Sequence, residues 1–500
     1  LCAVNGVKGG KVRGVNLGNC LDGAKVRFGS LSLDKYVCAE DGGGAGVFVD
    51  QDYSYTWDKD YSDTNWGTFR LWRVSQSEYQ FRAPKGQFLS CTGQGASVTA
   101  TSNLPSSNET FTIASSRNEL KADYIGTPGF NDGNSAIFIM TFVGDKLQGE
   151  YQISIGYGQT SATKVLTEHR KTYITREDFQ YLSRHGINTI RVPVGWWITK
   201  DPNPPAPYIG GGLAALDNAF KWAQEVGIKC IVVLHAAPGS QNGKDHSSSR
   251  DGFIEWTKSD NIQQSLNAIE FLASKYGSDP ALLGIELLSG PSSPEVPFDT
   301  LQKYYEDGYD IVRKHSATAY VIIMCQLIGN GADPAVLYHA NTGNDKSNVV
   351  VDLHYFNVRH PSFDDMSALQ NINNTSLFDT MSPQEKINYL YDTRKTQMNS
   401  LNATDGPLLF IGEWVNEFGR SGSQEDYQNF GRAQLDVYGS ASFGWAYWSL
   451  KNIEEHWDLK WNIDTGYLPQ FYKPHGPDLL PAGNDPPLDG FLVLPLNFGS

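Results

Sequence analysis

From about residue 150 onward the chain alternates short apolar runs with amphipathic stretches of helical length, the pattern of β/α units on a parallel sheet. Seven runs read as strands: 188–194 (NTIRVPV), 229–234 (KCIVVL), 282–288 (LLGIELL), 319–325 (AYVIIMC), 348–353 (NVVVDL), 407–412 (PLLFIG) and 443–449 (FGWAYWS). Between them, stretches such as 261–276 and 298–314 repeat apolar residues at i, i+3, i+4 and i+7, as helices do. An eighth strand is predicted far upstream at 11–17 (KVRGVNL), and eight strands with helices between them close a (β/α)8 barrel.

The segment 24–150 has a different texture: rich in Gly, poor in helix patterns and full of short alternating strands. Lys-Tyr-Val-Cys-Ala-Glu at 35–40 leads to Thr-Phe-Arg-Leu-Trp at 68–72. Gly-Gln-Phe-Leu-Ser-Cys at 86–91 leads in the same way to Glu-Thr-Phe-Thr-Ile at 109–113, and a degraded third copy runs from Leu120 to Phe142. Three units of about 40 residues predict an all-β β-trefoil inserted after the first barrel strand, where barrel loops tolerate long excursions. The expected fold is therefore α/β, with a discontinuous barrel from 1–23 plus 151–500 and a trefoil at 24–150. The tail from about 467, with five Pro between 474 and 487, reads as an extended wrap.

Composition narrows the partners. Forty per cent hydrophobic residues in 500 support large cores, and a net charge of −15 argues against nucleic acid or an anionic membrane. Twelve Trp and 25 Tyr offer flat faces for neutral, hydroxyl-rich ligands. No apolar run approaches the roughly 20 residues of a bilayer span. The chain starts at Leu1 rather than Met, which fits removal of a leader, and Asn108, Asn373, Asn374 and Asn402 are N-glycosylation acceptors for a secretory setting (extracellular, cell wall or vacuole). Chance triplets are the bland account of these four. Cys230 and Cys325 lie in apolar strand runs and read as buried thiols, as do Cys38 and Cys91 at matching places in two repeats. Nothing in the pattern implies a metal or an organic cofactor.

In such a barrel the working groups stand at the C-terminal ends of strands. The second strand delivers Arg191 and then Trp196-Trp197, the third His235, the sixth His354-Tyr355, the seventh Glu413 and the eighth Trp448. Singly, Arg191 could be a paired structural charge, the histidines satisfied core groups and Trp448 packing. Glu413 differs, because a carboxylate directly after PLLFIG is expensive to bury without purpose.

Together, RGVNLGN (13–19), IRVPVGWW (190–197), LHAAPGSQNG (234–243), GIELL (284–288), DLHYFN (352–357), IGEW (411–414) and GWAYWSLK (444–451) resemble glycoside hydrolase family 5, in its exo-β-glucanase and β-glucosidase branch. The inserted segment resembles a fascin-like domain, a combination similar to plant family 5 β-glucosidases. The resemblance implies a retaining mechanism with a covalent glycosyl-enzyme. Glu413 matches the nucleophile and Arg191 the residue that positions it. His235, His354 and Tyr355 match contacts to the sugar, and Trp448 the platform beneath its ring.

The chain departs from that pattern in three places. Ser289 stands for the family's Asn, Gly290 stands for its acid/base Glu, and the aromatic Gly-Trp-Leu stretch that follows the first strand is absent after Gly18-Asn19. Without an acid at 290 the expectation is a transglycosidase, or a hydrolase limited to activated β-glucosides, taking a glucoside donor and a hydroxyl acceptor. Glu286, about 13 Å deeper along its strand, is rejected as a substitute acid. The alternatives are a catalytically silent carbohydrate-binding protein and an acid/base-inactivated variant of a β-glucosidase.

Overall fold

The computed structural model describes residues 22–30, 35–51, 66–75, 78–92, 97–112, 119–121, 137–142, 147, 149–327, 333–343, 345–357, 381–401, 405–418, 422–452, 454–468 and 491–493. The N-terminal part is a ten-stranded antiparallel sheet. Its strands are β1 (Lys25–Ser30), β2 (Tyr36–Ala39), β3 (Val47–Gln51), β4 (Phe69–Arg73), β5 (Glu78–Arg82), β6 (Phe88–Ser90), β7 (Thr99–Ser102), β8 (Phe111–Thr112), β9 (Glu119–Lys121) and β10 (Ile137–Phe142). The main path runs β3-β2-β1-β4-β5-β6-β7, and its two ends meet through a bridge between Gly46 and Thr99, which curls the sheet on itself. Alternate residues fill the inside, with Val26, Phe28, Phe69, Leu71, Phe81 and Phe111 sharing one core. Cys38 is buried and Cys91 packs partly against that core.

The second part is a closed barrel of eight parallel strands. They are β11 (Thr189–Gly195), β12 (Lys229–Ala236), β13 (Leu282–Glu286), β14 (Tyr320–Met324), β15 (Val349–Tyr355), β16 (Leu408–Trp414), β17 (Gly444–Tyr447) and β18 (Phe491–Val493). Seven coincide with the runs picked out above. The eighth does not: β18 pairs with both β11 and β17 and closes the ring. The strand expected at 11–17 lies outside the described residues, and the tail expected to be only a wrap contributes Phe491–Val493. A three-residue strand after a Pro-rich stretch is too short to show a period.

The barrel strands are covered on both faces, which is why they read as continuous apolar runs rather than alternating ones. Around them lie α1 (Glu150–Thr172), α2 (Arg176–Arg184), α3 (Gly212–Val226), α4 (Ser259–Tyr276), α5 (Phe298–His315), α6 (Pro334–Ala340) and α7 (Gln424–Tyr438). Helix α4 turns Leu266, Ile269, Leu272, Ala273 and Tyr276 inward at helical spacing. Cys230 and Cys325 are free thiols in the packed interior. No helix among the described residues is long and apolar enough to cross a membrane.

Candidate active site

Strands β11, β13, β15 and β16 meet at one buried guanidinium. Arg191 on β11 donates from Nε and Nη2 to the two oxygens of Glu286 on β13, both at 2.6 Å. It donates from Nη1 to Glu413 Oε1 on β16 at 2.8 Å and from Nη2 to Ser289 Oγ at 3.1 Å, and Asp352 Oδ2 on β15 lies 3.8 Å away. Glu413 also faces His354 Nδ1 at 3.3 Å and His235 Nε2 at 3.6 Å. His354 Nε2 stands 3.2 Å from Asp352, and Asp352 Oδ1 accepts the Gly412 N–H at 2.7 Å. Trp448 stacks on His235, ring centroids 5.5 Å apart.

A local irregularity of the ladder aligns these groups. Leu353 pairs with Ile411, yet the next pair is His354 with Glu413, so β16 carries one extra residue, Gly412. Its backbone leaves no room for a side chain: a Cβ at 412 would sit 2.2 Å from the Asp352 carboxylate.

The charges settle in a definite pattern. Burial alone would raise the Glu413 carboxyl, but His354, His235 and Arg191 outweigh it and bring the group down to about 2. It is an anion at every working pH. Burial pulls His354 down, and its neighbours Glu413 and Asp352 overcome that and raise it above its ordinary value. Burial pushes the carboxyl of Glu286, which has no exposure, above its ordinary value against the pull of Arg191. Glu286, Asp352 and His354 bring three ligand atoms within 4.8 Å of one another, a spacing that suits a cation. Both Glu286 oxygens already accept from Arg191, so a guanidinium supplies the charge that a metal would bring.

The turn after β13 is built quite differently. Gly290 sits at φ +60, where a Cβ would lie 3.1 Å from Leu327 Cδ1 and 3.3 Å from Asn242 Nδ2. Its N–H points at Met324 Sδ, 3.0 Å away, and its carbonyl accepts from Asn242 Nδ2 at 2.8 Å. Gln241 Nε2 donates to the Ser289 carbonyl at 2.8 Å. The turn is tied down on every side and carries no ionisable group.

Of the residues expected at the site, Arg191, His235, Ser289, His354, Glu413 and Trp448 come together, with Gly290 at the edge. Tyr355 does not. Its side chain lies on the opposite face of β15, where its hydroxyl donates to Gln397 Oε1 at 2.8 Å and Arg394 covers its ring at 4.3 Å. Neighbouring residues of a strand point to opposite faces, so His354 and Tyr355 cannot both serve one cleft. The same period would have found Asp352, two residues before His354, which the sequence reading passed over. Glu286 is the other omission: rejected as an acid, it is the bidentate partner of Arg191. Asn108 is exposed on a short 3-10 turn, whereas Asn373, Asn374 and Asn402 lie outside the described residues.

Comparison with known proteins agrees with this architecture. Residues 155–454 match the model of "Cellulase (glycosyl hydrolase family 5)", and residues 18–121 match a domain of unknown function, DUF7910. A glucan 1,3-beta-glucosidase of Yarrowia lipolytica is 31% identical over 351 residues, covering 64% of this chain and 80% of that protein. A probable glucan 1,3-beta-glucosidase A of Aspergillus terreus is 32% identical over 354 residues, covering 62% and 78%. Among solved structures, the rutinosidase from Aspergillus niger superposes with a TM-score of 0.52 at 18% identity, over 64% of this chain and 89% of that one, a likeness of fold. With the family model spanning well over half of its length and a barrel that carries the strand-end residues, the chain belongs to glycosyl hydrolase family 5.

Proposed function

We propose that the chain is a retaining β-glycosidase-type enzyme acting on β-glucosides, in which Glu413 attacks the anomeric carbon and forms a covalent glycosyl-enzyme. The carrying observation is the state of Glu413: a buried carboxylate held at about 2 by Arg191, His354 and His235, with the Arg191 bond fixing one oxygen at 2.8 Å. The other oxygen faces His354. A fixed, ionised nucleophile is the first of the two groups a retaining site needs.

The second, an acid at 290, is Gly. Glu286 does not replace it, because both its oxygens are engaged with Arg191 and it has no exposure. Donors whose leaving group departs without a proton, such as glucose esters or nitrophenyl glucosides, are then the substrates. With water activation impaired, an acceptor hydroxyl competes for the sugar, which makes the chain a transglycosidase or a restricted hydrolase. The glucan 1,3-beta-glucosidase names of its relatives support a β-glucoside donor.

The same reading assigns residues 1–23 plus 151–500 to the barrel and 24–150 to a fascin-like β-trefoil. Both halves of the repeat fall on strands of one core, with Val37, Phe69, Leu89 and Phe111 buried together. A secretory location with Asn108 glycosylated belongs to the same proposal.

The test uses 2,4-dinitrophenyl β-glucoside with and without azide. A burst of phenolate, acceleration by azide and a glucose adduct on Glu413 by mass are expected. Absence of all three would leave a carbohydrate-binding protein.

A further inference from the structure

The long segment after β12, Gly239–Trp256, lies between the antiparallel sheet and the candidate site and is fastened to both. On its inner side, Gln241 and Asn242 hold the carbonyls of Ser289 and Gly290, and His246 offers its carbonyl to His235 Nδ1 at 3.1 Å. On its outer side, Arg82 of β5 donates to Asp251 Oδ2 at 3.2 Å and to Glu255 Oε1 at 2.7 Å, and its guanidinium covers Phe253 at 4.2 Å. Trp72 of β4 adds an Nε1 donor to the same Asp251 oxygen at 2.5 Å, while Arg250 lies over its ring at 3.6 Å.

The two sides are joined within the segment. The Glu255 N–H donates to the Gly239 carbonyl at 2.8 Å, and the Trp256 N–H to the Ser240 carbonyl at 3.3 Å. Ser240 Oγ in turn accepts the Gly243 N–H at 2.8 Å. A displacement at Asp251 or Glu255 is therefore carried to the residues that set the 289–290 turn and back His235.

We propose that Arg82 and Trp72 are positioning residues for the candidate active site, and that the antiparallel sheet is a brace for the β12 segment rather than a separate sugar-binding module. This rests on the glycosidase reading only for its kinetic consequence. The physical basis is that Asp251 is buried and Arg82 nearly so. Paired charges of that kind hold one geometry because leaving either unpaired is costly. Two aromatic faces against two guanidiniums reinforce the same contact.

The experiment uses the full chain with Arg82→Ala, Arg82→Lys and Trp72→Phe, the last keeping the ring and removing only the Nε1 donor. Amide hydrogen exchange is followed at 239–256 and 289–292, with β15 and β16 as the internal reference, and kcat and KM are measured on 2,4-dinitrophenyl β-glucoside. Arg82→Ala is expected to speed exchange at both segments with the reference strands unchanged, and to lower kcat/KM by about 10²-fold, as a misplaced site does. Trp72→Phe should shift both in the same direction by about tenfold, and Arg82→Lys should recover part of the Arg82→Ala loss. Exchange at 289–292 that stays unchanged in both Arg82→Ala and Trp72→Phe overturns the brace. Should the unaltered chain give no glucose adduct on Glu413, the glycosidase reading fails, and the exchange result still decides the brace by itself.

Discussion

The two rims of the cleft, one at the end of β16 and the other at the end of β13, have been built to different specifications. At Glu413 the carboxylate is held by three cations or potential cations, Arg191, His235 and His354. Around Gly290 the neighbours are amides, a thioether and a leucine, and the contacts go to backbone atoms. The first rim is organised to keep a charge, the second to keep a backbone shape. The 289–290 turn has settled into a conformation that suits glycine, so under the proposed function the missing acid is not a bare gap in an otherwise ready site.

The contrast can be broken or sharpened by experiment. Glu413→Gln should reduce release from 2,4-dinitrophenyl β-glucoside by at least about 10⁴-fold, as removal of a nucleophile does. Retained release would show that the charged rim is only structural. Arg191→Met leaves Glu286 and Asp352 buried without their cation, and should destabilise the barrel by about 3–5 kcal/mol in urea unfolding.

On the opposite rim, Ser289→Asn with Gly290→Glu places a side chain at φ +60 against Leu327, at a cost of about 1–3 kcal/mol. Adding Leu327→Ala should relieve that contact and bring hydrolysis of ordinary alkyl β-glucosides up by about 10²-fold or more, the lower end of what a general acid supplies. A triple variant with no gain would mean that more than the carboxylate has been lost.

The smallest effect concerns pH. The Glu413 carboxyl is depressed, so the ionised form and its contribution to stability and rate are present above its ordinary value and lost only as pH falls through about 2. With no acid on the β13 rim, kcat/KM for the activated donor should stay level from about pH 4 to 6, where His354, raised above its ordinary value, keeps its proton. An acid-requiring optimum inside that interval would reveal a proton donor elsewhere.

Seven barrel strands were legible because buried parallel strands are unbroken apolar runs, and the charged residues at their ends stand out against them. Tyr355 was misplaced because adjacency in a motif was allowed to outweigh the two-residue period, which puts Asp352 and His354 together instead. Glu286 was set aside for its depth, which hides its role as the partner that fixes Arg191. Beyond the LHAAPGSQNG motif the 239–256 segment could not be read, because its importance lies in contacts to β4 and β5, some 170 residues away in the chain. The closing strand was too short to carry a pattern.

The extra residue in β16 has a consequence for how such a chain can change by neutral drift. Gly412 advances Glu413 by one step so that it meets His354, and the Asp352 carboxylate occupies the space that any other residue at 412 would need. Substitution there, or deletion, would disturb Glu413, His354 and Asp352 in a single event. Positions 289 and 290 lie outside that register: the side chains of Gln241, Asn242 and Met324 hold their backbone, and Ser289 Oγ reaches the site only through Arg191. The geometry around Glu413 is therefore the part of this barrel least open to change one residue at a time.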